Sequence, residues 1–449
     1  MNRFEYIKCF WKYIDDETPV LLFYEIDTEN ERYATRMTEV FSDKRAIPVI
    51  ENGFDFITEA PVPTTDEINK DPQFNAVIIS KEEFENAYIS EEYAGELGFP
   101  ISDLTDRRIP PTKETESIFH MFFDEVPKSC QHINTSRGDC DFRETIIAET
   151  EAGIRRVIKL ADNDFTFPEK IKVWQKTVSE YRSLGYYCPK ILCDKTGGFP
   201  FVMYNGHKCT AYAEEYSRFA SLADRNSEEK TRDDHIYESC KKDIWCMTAR
   251  IAAKYFDYTD YPSAYCLFET FCPSDKTDEV LENALKWKEY ADTLPARFGQ
   301  QVQRIWRLWT NNRALLETIY KKLPTSVFQA DLNTTNILVD ESGKFVGVYD
   351  FNLCGKDVFL NYLMRENLDV DFEKEIHKIC DTLKVSSEYY HFSDLEKESV
   401  LMIYRCVKPL WYNKIERLKE LQGDNEATKA FLDKTEFYLT AHIDFKAYM

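Results

Sequence analysis

The sequence predicts an α+β protein: a small N-terminal α+β domain, then a β-rich lobe, then a larger helical lobe. Three observations lead there. The chain has 449 residues, 43% of them hydrophobic, more than one ordinary core absorbs, which points to two or three units. Short runs of β-branched and aromatic residues dominate 1–90 and 116–216, whereas longer runs of helical period dominate 217–449. Between the two β-rich stretches, residues 91–115 carry Pro100 and the Pro110–Pro111 pair, which interrupt regular structure and read as a linker.

Within the first domain, "FEYIKCFWKY", "PVLLFYEID", "YATRMTEVF" and "RAIPVI" are strand-like runs separated by polar turns, as in an antiparallel sheet. Thr64 stands three residues before Glu67 and Ser80 three before Glu83, so each opens a helix with capping-box spacing. The run "PVPTTDEIN…FNAVIISKEEFENAY" resembles the end of a small, widespread bacterial domain of uncharacterised function, and the likeness covers nearly all of residues 3–89. It implies a boundary and no activity.

In the β-rich lobe, "FRETIIAET" and "IRRVIKLAD" flank Glu151-Ala152-Gly153, and "FPFVMY" and "CTAYAEEY" flank Asn205-Gly206, a strong hairpin turn. Between them a helix is expected from Pro168 to Gly185, with Ile171, Trp174, Val178 and Tyr181 on its buried face.

Composition excludes several classes. A net charge of −22 opposes nonspecific nucleic-acid binding. Thirteen cysteines without a CxxC pair oppose a zinc site or a disulfide framework. With no apolar run near the length of a bilayer span and no signal-peptide pattern, a cytoplasmic protein without membrane contact is expected. Residues 1–90 hold 19 acids against 9 bases, which suits a protein partner for that domain.

The segment "SVFQADLNTTNILVDESGKFVGVYDFN", Ser326–Asn352, carries the chemistry. "NILVD" and "KFVGVYDF" are strands joined by the turn Asp340–Gly343, and folding that hairpin brings Asn336 and Asp350 to one open end, with Asp331 on the loop leading into it. A carboxamide beside a carboxylate suits a hard cation such as Mg²⁺, and the remaining acid can orient or deprotonate a hydroxyl.

This Asp-x4-Asn spacing, followed by a strand pair ending in Asp-Phe, resembles the catalytic segment of protein-kinase-like enzymes. More narrowly, it is similar to the phosphotransferase family of aminoglycoside and choline kinases. The likeness spans roughly 116–380 and is specific only over 329–352. It implies a bilobal protein-kinase-like fold and an ATP- and Mg²⁺-dependent transfer of phosphate to a hydroxyl of a small molecule, in the manner of an aminoglycoside. Asp331 would be the catalytic base, and Asn336 and Asp350 the metal ligands. Lys159, on the strand "RRVIKLAD", would hold nucleotide phosphates, Ser136 and Gly138 would cover them, and backbone around Glu214, Glu215 and Tyr216 would meet adenine. Gln329 stands where the family usually has His and can bond the same backbone.

The family pairs its strand Lys with a helix Glu. By helical angle Glu180 points away from the buried stripe and Glu169 lies in the first turn, which leaves Gln175 as the residue able to reach Lys159, or no partner at all. Two other readings stand beside the kinase: a nucleotide-binding module without turnover, favoured by Gln329 and the missing helix Glu, and a protein-binding or immunity-like module working through residues 1–90.

Overall fold

A computed structural model describes residues 3–11, 18–41, 43–49, 57–58, 60–71, 74–95, 97, 110–137, 140–223 and 234–449. They form two units. The first takes in 1–113, 126–133 and 146–153, and the second 114–125, 134–145 and 154–449.

In the first unit, β1 (Phe4–Trp11), β2 (Leu21–Asp27), β3 (Ala34–Val40), β4 (Ala46–Pro48) and β5 (Phe74–Ile78) make one sheet in the order β4-β3-β2-β1-β5. The pairings within it are antiparallel. The central strand β2 is apolar on both faces because both are covered. Leu21 and Phe23 join one buried cluster with Phe84 and Ala87, while Leu22 and Ile26 join a second with Ile7 and Cys9. Helix α1 (Thr65–Ile68) starts with the expected reciprocal capping box between Thr64 and Glu67. Helix α2 (Lys81–Tyr88) starts with the Ser80 side chain accepting from the Glu83 N–H. The strand β5 was not legible in the sequence, because only Ala76 of its five residues is buried and no alternation shows.

After α3 (Lys113–Phe122), the strands β6 (Pro127–Asn134) and β7 (Phe142–Thr150) precede β8 (Arg155–Asp162). Helix α4 (Pro168–Ser183) runs as expected, with Ile171, Trp174, Val178 and Tyr181 buried and Gly185 at φ 93° beyond its end. β9 (Ile191–Leu192), β10 (Phe201–Tyr204) and β11 (His207–Glu215) follow. β10 and β11 close on Asn205-Gly206, both left-handed at φ 49° and 83°, as a tight hairpin requires. β11 lies between β8 and β9.

β12 (Ala220–Ser221) leads towards the helices α5 (Asp234–Ala252), α6 (Glu279–Ala291) and α7 (Gly299–Tyr320). β13 (Thr325–Phe328), β14 (Ile337–Val339), β15 (Phe345–Val348) and β16 (Gly355–Val358) come next. They precede α8 (Phe359–Asn367), α9 (Phe372–Ser386), α10 (Asp394–Val407), α11 (Lys414–Glu420) and α12 (Asn425–Thr440). Only the hairpin β14–β15 was read as strands within the helical lobe, and it is not isolated there. β12 adds to it through Ala220 opposite Val339, and β13 pairs with β16. β12 is two residues long and β13 and β16 four each, too short for a periodic signal.

One apolar core joins α4 to the helices after β16, from Ile171 through Trp287, Trp309 and Phe328 to Phe445. At its centre the Phe328 and Tyr362 rings stack at 4.4 Å. This core holds α8 against the strand that leads into Asp331.

Candidate active site

β13 ends at Phe328, and the chain then turns sharply. Ala330 and Asp331 have φ 55° and 81°, and Asp350, at the far end of the hairpin, has φ 59°. Three left-handed non-glycine residues within one small region store backbone strain, which persists only where surrounding contacts over-determine it.

Gln329 supplies much of that determination. Its side chain is buried, and its Nε2 donates to the carbonyls of Tyr349 at 3.0 Å and Asp350 at 2.8 Å. Its own N–H donates to the Tyr181 hydroxyl of α4 at 3.1 Å. One carboxamide thereby ties the Asp331 loop to the Asp350 loop. Glu366, on α8, holds the other side: one carboxylate oxygen accepts the N–H groups of both Asp331 and Leu332, at 3.1 and 3.3 Å. Burial pushes its carboxyl up to about 7. Sequence reading missed Glu366, because nothing local distinguishes it from the other acids of the helical lobe.

The β14–β15 register places Ile337 opposite Val348, and the Tyr349 N–H donates to the Asn336 carbonyl at 3.1 Å. Asn336 and Asp350 therefore sit at the same end of the hairpin. The Asn336 carboxamide donates to the Asp331 carbonyl at 2.9 Å and lies 3.4 Å from an Asp331 carboxylate oxygen. Burial, followed by the charge of Asp350, raises Asp331 above the ordinary carboxylate range, against the Asn333 hydrogen bond and the charge of Arg137. The three residues singled out in the sequence are thus brought together, with Asp331 at the centre.

Lys159 completes the cluster. It projects from β8 with its amine 3.2 Å from Glu214 and 3.7 Å from Asp350. Burial works against its charge, but the two carboxylates outweigh burial and hold the amine well above its usual range. The helix supplies no partner to this amine. Gln175 donates to the Ile191 carbonyl at 2.9 Å, and Glu214 of β11 takes the ion pair. The reason is strand register: Lys159 lies opposite Tyr212, so Glu214 is its diagonal neighbour on the same face.

The remaining expectations fare differently. The Ser136 hydroxyl accepts the Arg143 N–H at 2.9 Å, so it braces its own loop; Gly138 lies outside the described residues. Glu214 and Glu215 were expected to offer backbone to an adenine. Glu214 instead sits within the sheet between Val157 and Ile191, and the Glu215 N–H is taken by the Lys190 carbonyl at 2.9 Å. Tyr216 is exposed and accepts from Arg155 at 2.9 Å.

Among the described residues, one Asp350 carboxylate oxygen is buried without a hydrogen-bond partner. A carboxylate oxygen that accepts no hydrogen bond keeps its lone pairs available to a bound cation. Asn336 and Asp350 fit a Mg²⁺ that takes its other ligands from phosphates and water. Among the described residues no group of three or more His, Cys, Asp or Glu is arranged to hold a metal, so an all-protein cage is not what the site offers. Among them, too, no helix is long and apolar enough to cross a membrane.

No curated protein matches the chain in sequence. Among solved structures, a microcompartment-associated aminopropanol kinase is 12% identical, covering 69% of this chain and 90% of that one with a TM-score of 0.41. A spectinomycin phosphotransferase, in complex with ADP and spectinomycin, is 13% identical over 72% and 96%, also at 0.41. An amicoumacin kinase in complex with AMP-PNP and Ca²⁺ is 11% identical over 70% and 92%, at 0.40. In sequence, residues 5–92 match the model of a domain of unknown function, and residues 270–360, which include Asp331, Asn336 and Asp350, match that of the phosphotransferase enzyme family.

Proposed function

We propose that this protein is an ATP- and Mg²⁺-dependent kinase that transfers the γ-phosphoryl group to a hydroxyl of a small molecule. Its domains would be 1–90, a linker over 91–115, a nucleotide-holding lobe over 116–216 and a helical lobe over 217–449. The observation that carries the reading is the convergence of Asp331, Asn336, Asp350 and Lys159 on one small region, the two aspartates held in strained backbone.

Phosphoryl transfer asks little covalent chemistry of the protein, so positioning and charge neutralisation supply most of the rate. Lys159, fixed by Glu214 and Asp350, holds negative phosphate oxygens. Asp331 accepts a hydrogen bond from the acceptor hydroxyl and takes its proton as the oxygen attacks. Burial favours that step, since a carboxylate with a raised pKa is a stronger base. Asn336 and Asp350 would hold Mg²⁺, which when bound neutralises the charge developing on the transferring group.

The test is phosphate transfer from labelled ATP across a panel of small alcohols, amino sugars included, for the wild type and Asp331→Asn. Labelled product from the wild type alone supports the reading. Nucleotide binding without transfer to any acceptor would favour a silent nucleotide-binding module.

A further inference from the structure

A second pocket lies in the helical lobe, between α11 and α12. It measures about 660 Å³, within the range of small-molecule sites, and Val370 contributes to its lining. Several features of it are unexplained by folding.

The Tyr438 side chain is 1% exposed, and its hydroxyl has no hydrogen-bond partner among the described residues. The Asn413 Oδ1 is likewise buried and unbonded. Both residues line the pocket. A buried hydroxyl or amide oxygen without a partner is costly, so folded proteins seldom leave two beside one cavity unless something else meets them.

The charges point the same way. Lys414 lines the pocket with its amine 5.5 Å from the centre of the Tyr438 ring, and among the described residues no carboxylate lies within ion-pair distance of it. Burial, helped by the charges of Lys408 and Lys434, pushes this amine down to about 8. Lys434, also on the wall and exposed, reaches only the Val370 carbonyl among the described residues, at 3.5 Å. The acids at the rim are already engaged: Glu416 with Lys419 at 3.0 Å and Glu420 with Arg417 at 2.7 Å. Lys408, beneath, is bound to Glu375. The pocket therefore presents two ammonium groups without carboxylate partners among the described residues, a hydroxyl, an acceptor oxygen, and an apolar wall that includes Phe431.

We propose that this pocket binds a small organic anion, a phosphate ester or carboxylate that carries a hydroxyl beside the charged group. Lys414 and Lys434 pair with the anion, Tyr438 donates to it, and the ligand's hydroxyl donates to Asn413. The half-buried Lys414 amine suits such a ligand, which supplies the counter-charge it lacks, and the exposed Lys434 amine adds to the pull on the anion from the rim. The proposal does not depend on the kinase reading.

Calorimetric titration of the full-length protein with glycerol 3-phosphate and with glycerate tests it and tells the two anion sources apart. Saturable one-site binding of at least one of them is expected. Affinity should fall about tenfold or more in Lys414→Gln and in Lys434→Gln, and by a smaller factor in Tyr438→Phe. Correct folding of each variant is checked by its thermal transition. A second measurement needs no variant: at pH 8 an amine-acylating reagent should modify Lys414 of the wild type, and the bound probe should protect it. Absence of saturable binding by both probes overturns the proposal. So does binding of equal strength in both lysine variants, or unprotected acylation of Lys414 at saturating probe.

Discussion

Lys159 and Glu214 face each other across adjacent strands with their charged atoms 3.2 Å apart, and Asp350 approaches the same amine at 3.7 Å. The lysine is thereby held by one carboxylate of its own sheet while a second, at the end of the β14–β15 hairpin, shares its charge. Replacing Lys159 with Met should cut turnover about 100-fold or more, the usual cost of losing a charged group aimed at a transferring phosphate. Glu214→Gln should lower both nucleotide affinity and turnover, while Gln175→Ala leaves them near wild type. Steady-state kinetics with varied ATP separate the three; an equal loss in Gln175→Ala would refute the assigned partner.

Asp331→Asn should lower transfer by roughly 10²–10⁴-fold with nucleotide binding intact. The pH dependence follows from the raised pKa. The base works only when ionised, so turnover should rise with pH through an apparent pKa above the ordinary aspartate range, and not the reverse. A pH–rate profile under saturating ATP checks this. An acid limb at or below the ordinary aspartate value would show that Asp331 is not the titrating base.

Gln329 crosslinks two strained loops through its carboxamide. Gln329→Ala leaves the carbonyls of Tyr349 and Asp350 without this donor and should destabilise the protein by about 2 kcal/mol. Gln329→His restores a ring N–H donor and should retain most of that stability. Urea unfolding of both variants reads the difference.

Asp357 is buried and accepts hydrogen bonds from Ser263 at 2.8 Å, Asn361 at 3.0 Å and Tyr320 at 3.2 Å. Burial lifts its carboxyl to about 6. The folded state then binds this proton more tightly than the unfolded chain, so the contribution of Asp357 to stability is greatest below about pH 4. It declines as pH rises towards 6, by about 3 kcal/mol for a shift of about two units. The stability difference between wild type and Asp357→Asn should therefore shrink over that window. A difference constant with pH would contradict the shift.

Gly347 lies in β15 directly against the Tyr187 backbone. A Cβ there would stand 1.7 Å from the Tyr187 carbonyl oxygen. The obstacle is backbone, and the Val348 N–H is bonded to that same carbonyl at 3.0 Å, so neither side can yield cheaply. Gly347→Ala should cost about 3 kcal/mol or more and displace the hairpin that carries Asp350. Thermal unfolding, together with loss of ATP-induced stabilisation, would register both effects.

Much of this architecture was legible because its signals are local. The Asn205-Gly206 hairpin, the Pro168-to-Gly185 helix with its buried stripe, the Thr64 capping box and the grouping of Asp331, Asn336 and Asp350 each depend on residues close in sequence. Turn chemistry and side-chain period act at that range. β5, β12, β13 and β16 were missed because they are short and their pairing comes from strands remote in sequence.

By itself the sequence determined which residue types stand at the ends of the β14–β15 hairpin, and so which chemistry they can perform. Tertiary structure alone decided who supports them: Glu214 rather than Gln175 beside Lys159, Glu366 beneath Asp331, and the unpaired Lys414 amine over Tyr438. Those partners meet through strand register and helix packing over separations of 24 to 55 residues. No periodicity or turn signal reports on that distance, and only burial and charge in the folded chain select among many equivalent acids and amines.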